Sequence, residues 1–452
     1  MSMLEISKIQ NTIYSNNPVN TNPIKTTGSS VCEISKSQPL AKVSADNLKA
    51  YIPSFAGIGR QPSEKAQIKA IKSQLDKESI SIFNKLQKSG VLDNNDSNDG
   101  STVLDNLYKI ATEPRFKGLK SSQILKDVLQ AIDNPYTITQ RFGDIPQVVR
   151  DEYQQKTGKP FPQQAINVAS SCCVVASMEF NLAQRKPAEF ARFAQGLSGE
   201  NYSVQKKLKF ANTADGSITT TLYNLRKFNT DSQIHTNLED FDVNIRPDRN
   251  AIVRARVQSS YKDQGERSVV DVLIQSALLN LGSQHTYNAL TDERATSEFN
   301  DDITGLSNIE KNVVEEIVFE EPKLSVVYQQ IDENGYLTGY NAEPQEVKQH
   351  IINSLNLGQN VIIGYTHLDV NNQVNGGHEI TILDYKKDKD GKEYFVCNDT
   401  DDGIDAPIRV FVDDLIPLIH HAGISKEALS ENDVLAEPLW VQVANEIKET
   451  RQ

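Results

Sequence analysis

One stretch limits what this chain can become: Asn167-Val-Ala-Ser-Ser-Cys172-Cys173-Val-Val-Ala-Ser177. Small residues lead into two adjacent cysteines. The apolar positions that follow, Val174, Val175, Met178 and Leu182, have the spacing of a buried helix. A helix that begins at a sulfur turns the positive end of its dipole toward it and favours the thiolate, the nucleophilic form. Small residues there also let backbone amides crowd close to the sulfur. Two buried thiols packed as small hydrophobes would leave the same local pattern, so the choice depends on what the rest of the chain brings.

About two hundred residues later the chain reads Asn375-Gly-Gly-His378-Glu-Ile-Thr-Ile-Leu-Asp-Tyr385, a polar turn to Lys392, then Glu393-Tyr-Phe-Val-Cys-Asn398-Asp399-Thr400. This predicts a histidine at the start of one apolar strand, a hairpin, and a second strand ending on an amide and a carboxylate. In an antiparallel pair the start of one strand lies beside the end of the next, so Asn398 or Asp399 could reach the His378 ring. Nucleophile, base and orienter in this order are the parts of a thiol hydrolase.

These residues resemble the papain-like cysteine peptidase superfamily. In that family a Gln six residues before the nucleophile helps form the oxyanion hole. The Cys opens a central helix in a C-x-x-x-S context, and a Gly/Asn-His strand and a Tyr-aromatic strand ending on Asn or Asp follow. The resemblance puts Asn167 at the Gln position, Cys173 at the nucleophile and Ser177 at the later Ser. It puts His378 at the base and Asp399 at the orienter. The chain departs from the pattern in two ways. Asn167 is shorter than Gln, and the tryptophans expected after the Cys and after the orienter are missing, Trp440 being the only Trp. A carboxylate orienter preceded by Asn is closest in style to the bacterial double-glycine (bacteriocin-processing type) branch.

The resemblance spans about 156–215 and 345–445 and implies an α+β papain-like fold, a Cys-bearing helix against an antiparallel sheet. Neighbours on a helix point about 100° apart, so only one of the twin cysteines can face His378. The Asn167 spacing and Ser177 select Cys173; the rival register uses Cys172, with Gln164 as the polar donor. Asn398 takes the place of Asp399 as the orienter if the hairpin register slips by one.

At 452 residues there is room for two or three domains. With 38% hydrophobic and 24% charged residues, a disordered portion beside the core is expected. The net charge of −13 disfavours nucleic acid and anionic membrane as partners. Adjacent Cys172 and Cys173 cannot easily pair, so with Cys32 and Cys397 they form no evident disulfide framework. The N-terminus has no basic segment followed by an apolar run, and no stretch reaches the length of a membrane span. The expected location is the cytoplasm, or outside the cell by export without a classical signal.

In chain order, 1–60 reads as a disordered tail rich in Asn, Ser, Thr and Pro. A helix from Ser63 to Gly90 opens a helical N-terminal region over 61–150, an accessory unit or a prosegment. Asp93–Ser101 resembles a calcium loop, but with Gly100 sixth the twelfth position is Asn106 and not Glu, so a capped turn before a Val103–Ile110 helix is expected. The papain-like domain is placed at 156–445 with an insertion at about 216–345 flanking the cleft. Within it Ile252–Val257 alternates as a half-exposed strand. Ser268 and Asp271 suggest a capping box for a helix through Leu281, and Gly282 ends it, leaving His285 outside the site. A helix closed at Gly358, the apolar strand Asn360–Tyr365 with His367 past its end, the strand Ile408–Val412, a short helix Leu415–His421 and a last strand at Trp440–Val443 complete the reading.

Other chemistries find little support. His378-Glu379 lacks the second His of H-E-x-x-H, and His420-His421 would diverge on a helix, so neither metal nor cofactor is expected. The expected function is a cysteine-dependent hydrolase, a peptidase or isopeptidase acting on a peptide or protein. The alternatives are a non-catalytic peptide-binding module of the same fold, and a deamidase or acyltransferase using the same triad. The oligomeric state is not legible.

Overall fold

A computed structural model describes residues 62–141, 147–160, 170–209, 240–260, 266–283, 285–294, 305–321, 323–332 and 334–429. The described residues start with helices α1 (Glu64–Lys72), α2 (Lys77–Ser89), α3 (Val103–Thr112), α4 (Ser121–Asp133) and α5 (Gln147–Thr157). The single helix expected from Ser63 to Gly90 is two, because the Asp76 carboxylate accepts the Ser79 N–H and starts a new one. Gly90 closes the second with φ 80°. The calcium-loop lookalike is the expected turn, leading into a Thr102–Asp105 capping box.

Next come α6 (Cys173–Arg185), α7 (Pro187–Ser198) and the antiparallel strands β1 (Val204–Lys209) and β2 (Asp240–Ile245). They are followed by α8 (Ala251–Ser260), α9 (Val269–Gly282), the short pair β3 (Tyr287–Asn288) and β4 (Glu293–Arg294), and α10 (Asn308–Phe319). The strand expected at Ile252–Val257 is instead part of helix α8. Its alternation also satisfies the helical spacing of Ile252, Ala255 and Gln258, all buried. The capping box of Ser268 and Asp271 opens α9 as expected.

The remainder is a six-stranded antiparallel sheet in the order β11-β10-β9-β8-β12-β5. Its strands are β5 (Leu324–Val327), β8 (Val361–Leu368), β9 (Val374–Lys387), β10 (Glu393–Asn398), β11 (Ile408–Phe411) and β12 (Ile419–Ile424). A small hairpin, β6 (Gln329–Ile331) with β7 (Leu337–Tyr340), and helix α11 (Pro344–Asn356) lie between β5 and β8. A one-turn helix, α12 (Val412–Leu415), precedes β12. The architecture is thus mixed α+β.

The apolar run Val361-Ile-Ile363 is continuous because the sheet is covered on both faces. Ile362 joins the core of α6, α9 and α10, whereas Val361 and Ile363 join a second core with Val347 and Ile351 of α11. Helix α6 is buried from Val174 through Ala183, as a helix between a sheet and other helices must be.

Two expectations change here. The expected short helix Leu415–His421 gives way to α12 and a 3-10 turn that end by Leu418, and His420 and His421 lie on β12. Pro417, lacking an N–H, suits the short turn and not a continuing helix. The expected insertion at about 216–345 contributes edge strand β5 to the sheet and packs α9 and α10 on α6, so its described part is built into the core. The tail 1–60, residues 216–239 and Trp440–Val443 lie outside the described residues.

Candidate active site

Cys173 is the first residue of α6, so its N–H has no acceptor within the helix and the dipole's positive end lies at its thiol. His378 sits within β9, paired in register with Tyr365 of β8. Asn398, the last residue of β10, pairs with Thr381, which carries the next residue, Asp399, back along β9 toward His378. The His378 Nε2 lies 2.8 Å from Asp399 Oδ1. The Cys173 thiol also acts on the His378 ring, and with Nε2 engaged by Asp399 the nitrogen left for it is Nδ1. Cys173 and His378 line one cleft of about 320 Å³.

Burial opposes charge on His378, but the hydrogen-bonded Asp399 carboxylate and the nearby Cys173 thiol outweigh this and raise its pKa from 6.5 to about 10. Burial likewise works against the Asp399 carboxylate, yet the His378 partner and the Asp401 N–H hold it below its usual value. That N–H donates to Asp399 Oδ1 at 2.9 Å. The Tyr365 ring meets the His378 ring edge to face, with centroids 5.8 Å apart, and limits its rotation.

The loop that carries Asp399 is tied down by the N-terminal helical region. Thr400 O accepts from Gln140 N–H at 3.0 Å and from Thr139 Oγ1 at 2.9 Å, and Asn134 Nδ2 donates to Asp405 O at 3.1 Å. The residues lining the cleft come from Ser170 onward. In the described part of 61–150 the chain therefore braces the back of the site and does not run through the cleft.

Cys172 points elsewhere. It is fully buried, with Sγ 3.2 Å from Asp292 Oδ1 and 3.7 Å from the Tyr287 hydroxyl. Burial pushes its thiol well above the usual range. Asp292 is held below its usual pKa because the Arg267 guanidinium, bidentate at 2.9 and 2.8 Å, overcomes its burial. Arg267 also donates to Ser170 Oγ at 2.6 Å, and Ser170 Oγ accepts the Cys172 N–H at 3.1 Å. This knot fixes the turn that delivers Cys173.

The structure thus brings Cys173, His378 and Asp399 together and separates Cys172 from them. Asn398, the alternative orienter, is buried with its backbone paired to β9, and its Nδ2 finds no acceptor among the described residues. Asn167 and Gln164 lie outside the described residues. His367 is exposed on β8 and stacks on Tyr365 rather than standing past the strand. His285 Nδ1 lies 3.0 Å from Asn280 Nδ2 at the end of α9, and His285 does not line the cleft.

Sequence reasoning missed a second polar group in the cleft. Glu379 Oε1 lies 2.7 Å from His421 Nε2, and its Oε2 accepts from Lys311 Nζ at 2.7 Å. Burial opposes the Glu379 charge, but Lys311 and His421 lower its pKa to about 2. His421, Gly364 and Glu379 are lateral neighbours on β12, β8 and β9. A Cβ on Gly364 would stand 2.2 Å from the His421 ring, so the glycine is what lets His421 reach Glu379 across the strand. The sequence carries the adjacent pair His420-His421; strict strand alternation would send the two rings to opposite faces, but the β12 register shifts between Ile419 and His421 and both rings line the cleft.

Among the described residues, no group of three or more His, Cys, Asp or Glu side chains is placed to hold a metal ion, and no helix is long and apolar enough to cross a membrane. Comparison with protein-family models, curated proteins and solved structures found no match.

Proposed function

We propose that this chain is a cysteine-dependent acyl hydrolase of papain-like fold, a peptidase or isopeptidase working through a thioester. The reading is supported above all by one observation. His378 is held by Asp399 at 2.8 Å and lines one cleft with a thiol at the N-terminus of a buried helix, the Cys173 thiol that helps raise its pKa. Asp399 sets the tautomer and stabilises the imidazolium, leaving Nδ1 to hold the proton that Cys173 gives up. The Cys173 sulfur adds to the acyl carbon, and the oxyanion is received by the Cys173 N–H, with Asn167 as its expected second donor. The imidazolium then protonates the leaving amine, and water activated by His378 releases the acid and restores the thiol.

The same sequence of bonds would release ammonia from a glutamine side chain or pass the acyl group to another amine; peptide hydrolysis is the simplest case. The substrate is a peptide or protein. Alkylation of the intact chain with iodoacetamide near neutral pH tests the reading. A single fast-reacting thiol is expected, identified by mass spectrometry as Cys173 and abolished with turnover in Cys173→Ala. Equal, slow labelling of all thiols would support a non-catalytic module instead.

A further inference from the structure

The polar group beside the triad has a definite proton arrangement. Glu379, carrying its negative charge, can only accept, so His421 donates from Nε2 across the 2.7 Å contact. Lys311 already neutralises Glu379 from the other side, with a further bond from its Nζ to Ile362 O at 3.0 Å. His421 is therefore neutral and its Nδ1 is a bare lone pair. Burial, set against Glu379 and reinforced by Lys311, keeps its pKa low. The His420 Nδ1 lies 2.9 Å from that lone pair, and two such nitrogens approach so closely only when one carries a proton. That proton is on His420. Burial and the neighbouring His421 lower the His420 pKa to about 3, so its ring is neutral as well and its other nitrogen, Nε2, is unprotonated.

His420 lines the same cleft as Cys173 and His378. Among the described residues its Nε2 has no hydrogen-bond partner in the protein. We propose that the Lys311–Glu379–His421 chain fixes His420 as a hydrogen-bond acceptor in the cleft, and that His420 selects substrates carrying a neutral donor side chain, a hydroxyl or a carboxamide, next to the scissile bond. The substrate half of this rests on the hydrolase reading. A carboxylate has no proton to offer and meets a lone pair beside Glu379. An ammonium would lose its hydration for a single acceptor, and an alkyl group would leave Nε2 desolvated and unmatched. The surroundings contributed by Leu306, Ile331 and Val374 supply no competing charge.

Two measurements on the full chain test this. The first is long-range 1H–15N correlation of protein labelled in its imidazole nitrogens, with His420 assigned by the His420→Gln variant. It should show His420 protonated at Nδ1 only. In Glu379→Gln, Lys311 holds the amide oxygen and the amide nitrogen donates to His421. The proton on each ring should then change sides and leave His420 protonated at Nε2. A His420 that is cationic or Nε2-protonated in the wild type overturns the inference, as does an unchanged spectrum in a cooperatively folding Glu379→Gln.

The second measurement needs no Glu379 variant. Paired acyl substrates with serine or 2-aminobutyrate, and with glutamine or methionine, are compared at each residue flanking the scissile bond. At one position the donor member should be favoured by about tenfold in kcat/KM, falling to about one in His420→Phe. Because the ratio is read, a rate loss common to both substrates does not count. A ratio near one everywhere in an active wild type overturns the substrate half with the hydrolase reading intact. Failure of Cys173 to alkylate, with no turnover, removes that reading and the substrate with it, while the tautomer spectrum still decides the state of His420.

Discussion

Asp399→Asn separates the charge of the orienter from its geometry. Asn keeps an oxygen to accept from His378 Nε2 and from the Asp401 N–H, both of which now meet Oδ1. Only the negative charge is lost. His378 is raised from 6.5 to about 10 against the burial that opposes it, and its side chain is 13% exposed, so solvent screens the pair little. A hydrogen bond to a charged partner contributes about 1.5–3 kcal/mol, and one pKa unit is about 1.4 kcal/mol, so removing the charge should lower the His378 pKa by about one to two units.

The assay is the ratio of alkylation rates of Cys173 by iodoacetate and iodoacetamide across pH, because an adjacent imidazolium attracts only the anionic reagent. In the wild type the ratio should fall as pH rises through about 10. In the variant it should fall near pH 8–9, leaving the two proteins about two- to tenfold apart in imidazolium content at pH 9 and alike at pH 6. Stability follows the same sign. A folded-state pKa above the unfolded value adds stability that is complete below about 6.5 and lost as pH rises through about 10. The melting-temperature gap between wild type and variant should therefore be widest at about pH 5–7 and close toward pH 10. An unmoved fall in the ratio, or a gap that widens with pH, would refute the coupling of Asp399 to His378.

Cys172→Ala should spare most of the Cys173 alkylation while lowering stability by about 1–3 kcal/mol in urea unfolding, since it leaves a gap beside Asp292 and Tyr287; selective loss of alkylation instead would make Cys172 the nucleophile. Gly364→Ala drives a methyl into the His421 ring and should cost about 1–3 kcal/mol, read as a melting temperature lower by several degrees. An unchanged melting temperature would mean the β8–β12 spacing is looser than the contact implies. Deleting residues 1–141 exposes the partners of Ile71, Leu107, Ile124 and Val128 in the core shared with α6, and frees the Thr400 loop. Such a chain should be poorly soluble and show slower Cys173 alkylation; a soluble product that alkylates faster would make the segment an inhibitory prosegment.

What was legible before the tertiary structure is what short-range chemistry governs. Ser268 bonding to the N–H of Asp271 and Gly90 in a left-handed conformation after a helix depend on residues a few positions apart, and the Gly377–Asn398 hairpin on a single chain reversal. So does the placement of His378 beside Asp399, because a hairpin's register carries a strand end back to a predictable neighbour. The segment Ile252–Val257 went the other way, since its six residues satisfy both periods and only packing could choose. The orientation of Cys172 depended on Arg267, Tyr287 and Asp292, about a hundred residues away, and no local pattern announces that partner. The same holds for His420 and His421. Their twin-His strand became a polar wall of the cleft only because Gly364 leaves a gap in the adjacent strand and Lys311 stands over it from a helix. Local bonding is written within a few residues of sequence; which buried charges meet is decided by how separate elements close-pack, and that decision is tertiary.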